Sequence, residues 1–361
     1  PDGRQIVTAS DDHTARVWEA ETGQLLTELK GHDNSVTSAT YSPDGRQIVT
    51  ASKDHTARVW EAKTGRLLIE LKEHGDRVNS AAYAPDGRHI VTASKDHMTR
   101  VWEAATGRLL VELRQHGDGV NGATYSPDGR QIVTASEDHT ARIWDVQRGR
   151  SIAELKGHEG GVLNAVYSPD GRRLVTISED RTARVWEAET GRFLFELKGH
   201  RDSVLRAVYS PDNRQLVTTS EDHTARIWDV ETGQFRIELS GHGAGVLSAA
   251  YSPDGRQLVT SSADHAVRVW EAETGRLLIK LTGHGASVLS TAYRPDGRRI
   301  VTASADHSAR VWQPDVDRFL TELPRHEAEV LSASYRPDGR GIVTVSADHS
   351  VRIWASETRR L

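Results

Sequence analysis

The feature that most constrains this chain is a repeat that recurs every 42 residues along its whole length. Nine tryptophans, the only ones in the chain, mark the interval: Trp18, Trp60, Trp102, Trp144, Trp186, Trp228, Trp270, Trp312 and Trp354. Pro1, Pro43 and Pro85 keep the same interval, and no insertion or deletion interrupts it. A repeat of about 40–45 residues indicates stacked supersecondary units. We therefore predict one domain over residues 1–361, in which each unit packs on its neighbours.

Each repeat is predicted to form four short strands, here called a, b, c and d. In the third repeat these are Val78–Tyr83, Ile90–Ser94, Thr99–Glu103 and Leu109–Leu113. The Pro-Asp-Gly-Arg segment between a and b is a turn signal, since proline presets φ and glycine supplies a positive φ. In the sixth copy Asn213 takes the place of that glycine, and asparagine tolerates this conformation best. Regular short strands indicate an all-β fold, and radial packing of such sheets buries both faces.

The composition excludes several classes of protein. The formal charge of −5 and the pI of about 6.4 give no basic footprint for nucleic acid. There is no cysteine, so disulfide and thiol chemistry are excluded. No apolar run approaches the length of a membrane span. We expect a cytoplasmic protein that has neither nucleic acid nor a membrane as its partner.

Four motifs of the second repeat resemble those of WD40 repeats: Gly31-His32, Tyr41 to Gly45, Ser52 to Thr56, and Arg58 to Glu61. They recur in register over the whole chain. Local departures are Glu73, Gln115 and Arg325 in place of the glycine before the histidine, and residues 313–317 in place of the usual turn between c and d. The resemblance implies a single β-propeller of four-stranded antiparallel blades.

The blade count follows from the number of strands. The chain begins at a strand b and ends after a strand c, so it carries nine b and c strands but eight a and d strands. We prefer nine blades, with eight as the alternative. We also expect that the chain is part of a longer one, in which the missing d and a strands precede Pro1.

The resemblance further implies a hydrogen-bonded tetrad of His32, Thr50, Asp54 and Trp60 in the example blade. A hairpin that turns near His55 places Thr50 roughly opposite Trp60. A hydroxyl, a histidine and an aspartate in one network also suggest a hydrolase triad. Because an active site is built once and this arrangement recurs eight times, we predict structural bracing and no enzyme activity.

Two further series repeat with the tryptophans. The first is a histidine in the turn between b and c, at His13, His55, His97, His139, His223, His265, His307 and His349, with Arg181 in the remaining copy. Successive copies are a full blade apart, so we predict solvated turn residues and no metal site. The second series is the arginine two residues before each tryptophan, such as Arg58. We predict that each pairs with an acidic group, with an anion-binding ring as the alternative.

The copies differ mainly at four positions, which the resemblance places on the top face around the central channel. These are the residue before the turn aspartate and the first, third and fifth residues after the repeat histidine. We call them the top-face positions. The candidate partner-binding residues among them are Lys53, Arg77, Lys95, Asn121, Glu137, Glu159, Glu179, Arg201, Leu205, Glu221, Leu247 and Leu289. They predict a basic and polar arc, an acidic arc with leucine, and a small apolar arc. The alternative is that the residues of these surface turns vary without a functional constraint.

We therefore expect a non-catalytic scaffold or sensor domain that binds a protein or peptide on the top face, without a cofactor. The alternative is a multivalent small-ligand or glycan binder with repeated sites between blades. The resemblance includes bacterial proteins in which near-identical WD40 repeats follow an NTPase, kinase or protease-like domain, so additional domains are expected on the same chain. Outside the two histidine series only His89 remains, and we predict a surface residue on strand b.

Overall fold

The computed structural model describes residues 5–19, 25–313, 318–323, 325–336, 339–348 and 350–355. Within these ranges the regular structure consists of β-strands only. The strands form nine antiparallel sheets, one for each tryptophan. This confirms the predicted all-β class, and the nine sheets agree with the preferred count of nine blades. The predicted irregular turn at residues 314–317 and His349 lie outside the described residues.

The contacts divide the chain into two compact units, and the first ends at Glu196. It holds sheets 1 to 5, and sheet 1 consists of strands b, c and d. The strands are β1 (Gln5–Ala9), β2 (Thr14–Glu19), β3 (Leu25–Lys30), β4 (Val36–Tyr41), β5 (Gln47–Ser52), β6 (Thr56–Glu61), β7 (Leu67–Lys72), β8 (Val78–Tyr83), β9 (His89–Ser94), β10 (Met98–Glu103), β11 (Leu109–Arg114), β12 (Val120–Tyr125), β13 (Gln131–Ser136), β14 (Ala141–Asp145), β15 (Arg150–Leu155), β16 (Val162–Tyr167), β17 (Arg173–Ser178), β18 (Ala183–Glu187) and β19 (Phe193–Leu197).

The second unit begins at Leu197 and holds sheets 6 to 9, the last of which consists of strands a, b and c. The strands are β20 (Val204–Tyr209), β21 (Gln215–Ser220), β22 (Ala225–Asp229), β23 (Phe235–Leu239), β24 (Val246–Tyr251), β25 (Gln257–Ser262), β26 (Val267–Glu271), β27 (Leu277–Leu281), β28 (Val288–Tyr293), β29 (Ile300–Ser304), β30 (Ala309–Gln313), β31 (Arg318–Glu322), β32 (Val330–Tyr335), β33 (Gly341–Ser346) and β34 (Val351–Ala355).

Strand order within each sheet follows the chain, so each sheet is a meander of consecutive antiparallel strands. The predicted bounds of the third repeat are confirmed to within one residue: strands b and c begin one residue earlier, and d ends one residue later. The register of sheet 2 differs in one detail from the prediction. Thr50 pairs with Arg58, and Trp60 pairs with Ile48, so Thr50 is diagonal to the tryptophan.

The hydrophobic core lies between successive sheets within each unit. Between sheets 2 and 3, for example, Val59 and Leu71 pack against Ile90 and Trp102 of the following sheet. Strand side chains alternate between faces, so one face of β6 carries Val59 while Trp60 on the other face packs towards sheet 1. Equivalent clusters join sheets 4 and 5 in the first unit and sheets 6 and 7 in the second. Each sheet therefore depends on its neighbour for burial, as the repeat pattern predicts.

The turn between a and b follows its sequence signal. Gly45 has φ 72° and Asn213 has φ 62°, which confirms the left-handed conformation expected for this position. In sheet 2 the Ser42 hydroxyl donates to Asp44 Oδ1 at 2.6 Å and accepts from the Gln47 N–H at 2.9 Å. A serine, an aspartate and a left-handed residue thus close this turn with side-chain hydrogen bonds.

Candidate functional site

The four predicted tetrad residues form one hydrogen-bonded chain in sheet 2. The Trp60 indole N–H donates to Thr50 Oγ1 at 2.9 Å, and this hydroxyl lies 2.7 Å from His32 Nε2. His32 Nδ1 lies 2.7 Å from Asp54 Oδ2. The chain is satisfied when Thr50 donates to Nε2 and Nδ1–H donates to the carboxylate, which assigns the neutral Nδ1–H tautomer. The predicted tetrad is confirmed.

The same chain is present in each of the eight described copies that have the histidine. The tryptophan–threonine and histidine–threonine distances are 2.7–3.1 Å throughout. Thr50 is fully buried and its hydroxyl already joins two partners. A substrate cannot approach such a hydroxyl, so the arrangement braces the sheet and cannot serve as a hydrolase triad.

The tetrad aspartate also fixes the neighbouring loops. Asp54 accepts from the backbone N–H groups of Asp33 at 3.0 Å and Thr56 at 2.9 Å. Burial alone would raise the pKa of Asp54, but hydrogen bonds from His32 and Thr56 outweigh burial and hold that pKa well below its usual range. The ionised carboxylate thus ties the loop between strands d and a to the turn between b and c.

The repeated arginines form ion pairs between strands c and d. Arg58 lies opposite Glu70 in the register of β6 and β7, with Nη2 2.7 Å from Oε1. Six such pairs lie within the described residues: Arg16–Glu28, Arg58–Glu70, Arg100–Glu112, Arg142–Glu154, Arg184–Glu196 and Arg226–Glu238. The ion-pair prediction is therefore confirmed for these six arginines. In sheet 7 Lys280 occupies the glutamate position, and Arg268 pairs instead with Asp264 at 2.8 Å.

The turn histidines are exposed and adopt a left-handed backbone conformation. His13, His55, His97, His139, His223, His265 and His307 have φ between 66° and 71°, and Arg181 has φ 72°. This confirms their place as solvated turn residues. Within the described residues no group of three histidine, cysteine, aspartate or glutamate side chains is placed to hold a metal.

Backbone hydrogen bonds bring two of the top-face positions together in each of sheets 2 to 9. The N–H of the residue before the turn aspartate donates to the carbonyl of the third residue after the histidine. In sheet 2 this bond joins Lys53 to Ser35 at 2.9 Å, and in sheet 5 it joins Glu179 to Gly161 at 3.1 Å. The candidate residues thus lie on loops with a fixed backbone at one end of each sheet.

Two lysines of the predicted basic arc lie near carboxylates of neighbouring sheets of the first unit. Lys53 Nζ lies 3.7 Å from Asp11 of sheet 1, and Lys95 forms an ion pair with Glu137 of sheet 4. Lys95 also lies 3.8 Å from Asp118. Lys53 and Lys95 thus each have a carboxylate of an adjacent sheet nearby, and Lys53 is still exposed. Arg77 is exposed and has no ion pair among the described residues.

The acidic top-face residues differ in exposure and pairing. Glu137 is half-buried and paired, whereas Glu159 and Glu179 are exposed and form no ion pair within the described part of the first unit. In the second unit Arg201 and Glu221 are exposed. Gly245 leaves room for the Glu221 carboxylate, since a Cβ at that glycine would lie 2.3 Å from Oε2.

Where the fifth residue after the histidine is polar, its side chain donates a hydrogen bond to the backbone of the next sheet. The Asn121 side-chain amide donates to the Val162 carbonyl of the next sheet at 3.0 Å. Asn79 and Thr37 donate in the same way, to Val120 at 2.8 Å and to Val78 at 2.7 Å. Leu205, Leu247 and Leu289 are half-buried, and Leu331 is 47% exposed.

Several surface features were missed by the sequence reasoning. The first residue of strand d is apolar and largely exposed, as at Leu67, Phe193, Phe235 and Leu277. Phe193 rests edge-on against Trp186, with ring centroids 5.4 Å apart. The signal was available, because phenylalanine replaces leucine at this repeated position in the fifth and sixth copies.

Two pockets lie at the opposite end of the sheets of the first unit, where the turns between a and b are. One of about 790 Å³ is bordered by the ends of four a strands and includes Tyr83, Tyr125 and Pro85. The other, of about 620 Å³, lies between sheets 4 and 5, where Asp128, Arg130 and Glu187 line it. His89 is half-buried at the start of β9, with Nδ1 4.0 Å from Asp86, so it is less exposed than predicted.

Comparison with known proteins identifies the repeat. The family model described as "WD domain, G-beta repeat" matches nine segments: residues 1–19, 23–61, 65–103, 107–145, 149–187, 191–229, 233–271, 275–313 and 317–355. The guanine nucleotide-binding protein G(I)/G(S)/G(T) subunit beta-1 of Homarus americanus is 48% identical over 42 residues, which is 12% of either protein. The match thus spans about an eighth of that relative's length.

A solved structure extends the similarity to most of the chain. The computationally designed Ika8 protein aligns with a TM-score of 0.75 and 26% sequence identity, over 92% of this chain and 100% of that one. None of the described residues lies in a helix with the length and apolar character needed to cross a bilayer.

Proposed function

The chain belongs to the WD40-repeat family, and on that premise we propose that it is a non-catalytic scaffold that binds a protein or peptide partner through its top-face positions. Similarity to WD40 repeats supports a protein-interaction scaffold in general. The matching lobster protein is named as a subunit of a guanine nucleotide-binding protein, which accords with a role in assembly. The choice of surface is argued below from the charges of the first unit.

The observation that carries the proposal is the pair of exposed carboxylates Glu159 and Glu179. The Glu159 N–H donates to Asp180 Oδ2 at 2.9 Å, so its backbone is tied to the tetrad of sheet 5. The Glu179 N–H donates a hydrogen bond to the Gly161 carbonyl, which fixes the backbone at this position. Charges on a preorganised backbone lose little conformational entropy on binding. Because neither carboxylate has an ion pair within the described residues, a partner with basic side chains fits this part of the surface.

Charge reversal tests the proposal. The protein is immobilised, and proteins retained from a lysate of the source organism are compared between wild type and Glu159→Lys/Glu179→Lys. The control is Glu189→Lys, an exposed glutamate in the turn between c and d at the other end of sheet 5. We expect a retained protein that is lost in the double variant and kept in the control. Retention of nothing, or equal loss in both variants, would contradict the proposal.

A second candidate function is repeated binding of small ligands or glycans between blades. The pocket of about 620 Å³ between sheets 4 and 5 favours it, because the turn residues that line the pocket, such as Asp128 and Arg130, recur in other copies. Titration calorimetry with a panel of glycans distinguishes the two functions. Several equal sites per chain would favour the second function, whereas one protein-sized partner would favour the scaffold.

We further propose a cytoplasmic location. The chain has no cysteine, and small extracellular domains often depend on disulfides. Fractionation of the source organism with an antibody to the chain tests this directly. Recovery of the protein in the secreted or surface fraction would overturn it.

A further inference from the structure

The turn between a and b in sheet 8 carries an unusual concentration of arginine. Arg294, Arg298 and Arg299 line a polar pocket of about 380 Å³ together with Asp296 and Gln313. We call these five residues the arginine pocket. It lies at the end of sheet 8 opposite to the turn between b and c, so it is separate from the top-face positions. An inference about it does not rest on the proposed scaffold function.

Sheet 7 provides a reference for this pocket, since the same turn there carries the usual residues of the repeat. Serine, glutamine and glutamate at three positions of sheet 7 correspond to Arg294, Arg299 and Gln313 in sheet 8. The sheet 7 turn therefore has one arginine against an aspartate and a glutamate, namely Ser252, Asp254, Arg256, Gln257 and Glu271. The sheet 8 turn has three arginines against one aspartate. All three changes shift the local charge in the positive direction.

The sheet register explains why three changes that are distant in sequence act at one place. In sheet 7 Gln257 pairs with Glu271 across β25 and β26. In sheet 8 Ile300 pairs with Trp312 across β29 and β30. Arg299 precedes Ile300 and Gln313 follows Trp312, so this antiparallel register places Arg299 beside Gln313. A carboxylate that would neutralise the arginines is thus replaced by an amide, which can donate to an anion.

The turn backbone holds the arginines close together. The Arg294 N–H donates to the Arg299 carbonyl and the Gly297 N–H donates to the Arg294 carbonyl, both at 2.8 Å. The Arg298 N–H donates to Asp296 Oδ1 at 3.0 Å. These bonds are the same as those of the serine-containing turns, so the substitutions changed the charge and kept the turn.

The Arg294 side chain is only 14% exposed, and its Nε is buried without a hydrogen-bond partner among the described residues. That Nε is 3.5 Å from Asp296 Oδ2, outside good hydrogen-bond geometry. A Cβ on Gly339 of sheet 9 would lie 2.9 Å from the same atom, so the glycine provides the space that Arg294 occupies. Contact with Gly339 and Asp296 thus holds the Arg294 guanidinium in place at the pocket that it lines.

We propose that the arginine pocket binds a phosphoryl group, carried either by a small phosphorylated molecule or by a phosphorylated side chain. The guanidinium group presents its N–H donors in a planar fork that matches two phosphate oxygens. The amide of Gln313 adds a neutral donor at the rim.

Titration calorimetry tests the proposal with two probes, inorganic phosphate and a phosphoserine peptide, each against sodium chloride at equal ionic strength. The same peptide without phosphate is the control ligand. We expect one site per chain for a phosphorylated probe. Tighter binding of the peptide identifies a phosphorylated side chain as the source, and equal or tighter binding of inorganic phosphate identifies a small phosphorylated molecule. Binding of neither probe overturns the proposal.

Variants taken from the chain's own repeats localise the site. Arg294→Ser/Arg299→Gln/Gln313→Glu restores the residues of sheet 7, so it is compatible with folding of this turn. We expect it to weaken phosphate binding by at least about tenfold, because charge-assisted hydrogen bonds are lost. The converse variant Ser252→Arg/Gln257→Arg/Glu271→Gln is expected to add a second site. Unchanged affinity in the first variant overturns the proposal even if the second variant fails to fold.

Discussion

Arg268 lies directly opposite Lys280 across β26 and β27, where the other described sheets with this contact pair arginine with glutamate. Lys280 is exposed, and the Arg268 guanidinium turns to Asp264 and to the Gly241 carbonyl, 2.7 Å from Nη2. It also lies beside His242, with 2.5 Å between Nη1 and Nδ1. Arg100 of sheet 3 makes the same contacts with Asp96 and His74 while it also pairs with Glu112. Sheet 7 therefore differs from sheet 3 in the missing glutamate pair and not in the contact of its arginine with the tetrad.

Lys280→Glu is expected to stabilise the protein. The change replaces a like-charge cross-strand pair by the Arg–Glu pair of the other sheets, and such pairs are worth about 0.2–1 kcal/mol. The free energy of unfolding, measured with urea, should rise by that amount. The matched control Glu70→Lys creates the sheet 7 arrangement in sheet 2 and should lower the free energy of unfolding. A decrease with Lys280→Glu would contradict the account of this pair.

Thr50→Val is expected to destabilise the second sheet. The variant keeps the side-chain shape but leaves the Trp60 N–H and the unprotonated ring nitrogen of His32 without their shared partner. Unpaired buried groups cost about 1–3 kcal/mol each, so a loss of about 2–6 kcal/mol is expected in urea denaturation for the two groups. Thr40→Val, at an exposed position of β4, is the matched control and should change little. Equal effects of the two variants would show that the tetrad hydroxyl is not structural.

Stability is expected to fall as the pH is lowered below about 6.5. Burial, and then the charge of Arg268, lowers the pKa of His242 to about 4. Burial also lowers the pKa of His74 and His326. The unfolded chain therefore binds more protons than the folded one in the window between these pKa values. Within that window, each of these histidines lowers the free energy of unfolding by about 1.4 kcal/mol for every unit by which the pH falls.

A second loss of folding stability is expected at lower pH, when the tetrad aspartates become protonated. The folded pKa of Asp54 lies below its unfolded value of 3.8, so the stability it contributes is complete above pH 3.8 and is lost as the pH falls further. Thermal unfolding at a series of pH values measures both phases. A melting temperature that stays constant from pH 7 to about pH 4 would contradict the histidine phase.

Asn121→Leu separates a structural from a partner-binding role for this residue. Leucine is the residue of the next copy, Leu163, so the variant removes one hydrogen bond to the Val162 carbonyl with little steric change. We expect a loss of about 0.5–1.5 kcal/mol in the free energy of unfolding and unchanged retention of the partner. Loss of the partner without a change in stability would assign Asn121 to the binding surface instead.

The tetrad was predictable because its members recur in register and because buried polar groups must be paired. Only the register was misjudged, since Thr50 pairs with Arg58 and reaches Trp60 diagonally. The ion pairs of the repeated arginines followed from the same reasoning. Residues that must satisfy each other within one sheet are therefore accessible from the sequence.

Contacts between side chains of adjacent sheets were not predictable. The sequence separates Lys95 and Glu137 into a basic and an acidic block, whereas the structure pairs them. The amide of Asn121, a candidate partner-binding residue, donates to the Val162 carbonyl of the next sheet. Both outcomes depend on the distance between sheets, which a repeat pattern does not specify. The arginine pocket was visible in part, because Arg294 and Arg299 depart from the repeat, but only the register brings Gln313 to them.

The most direct test of the scaffold account is hydrogen exchange of the protein, alone and with the retained partner, followed by mass spectrometry of its peptides. We predict that the partner slows exchange in the loop that contains Glu159 and in the turn that begins at Glu179. Exchange in the turn between a and b of the same sheet, at Asp170–Arg172, should stay unchanged. Protection confined to that opposite end, with none at Glu159 or Glu179, would contradict binding through the top-face positions.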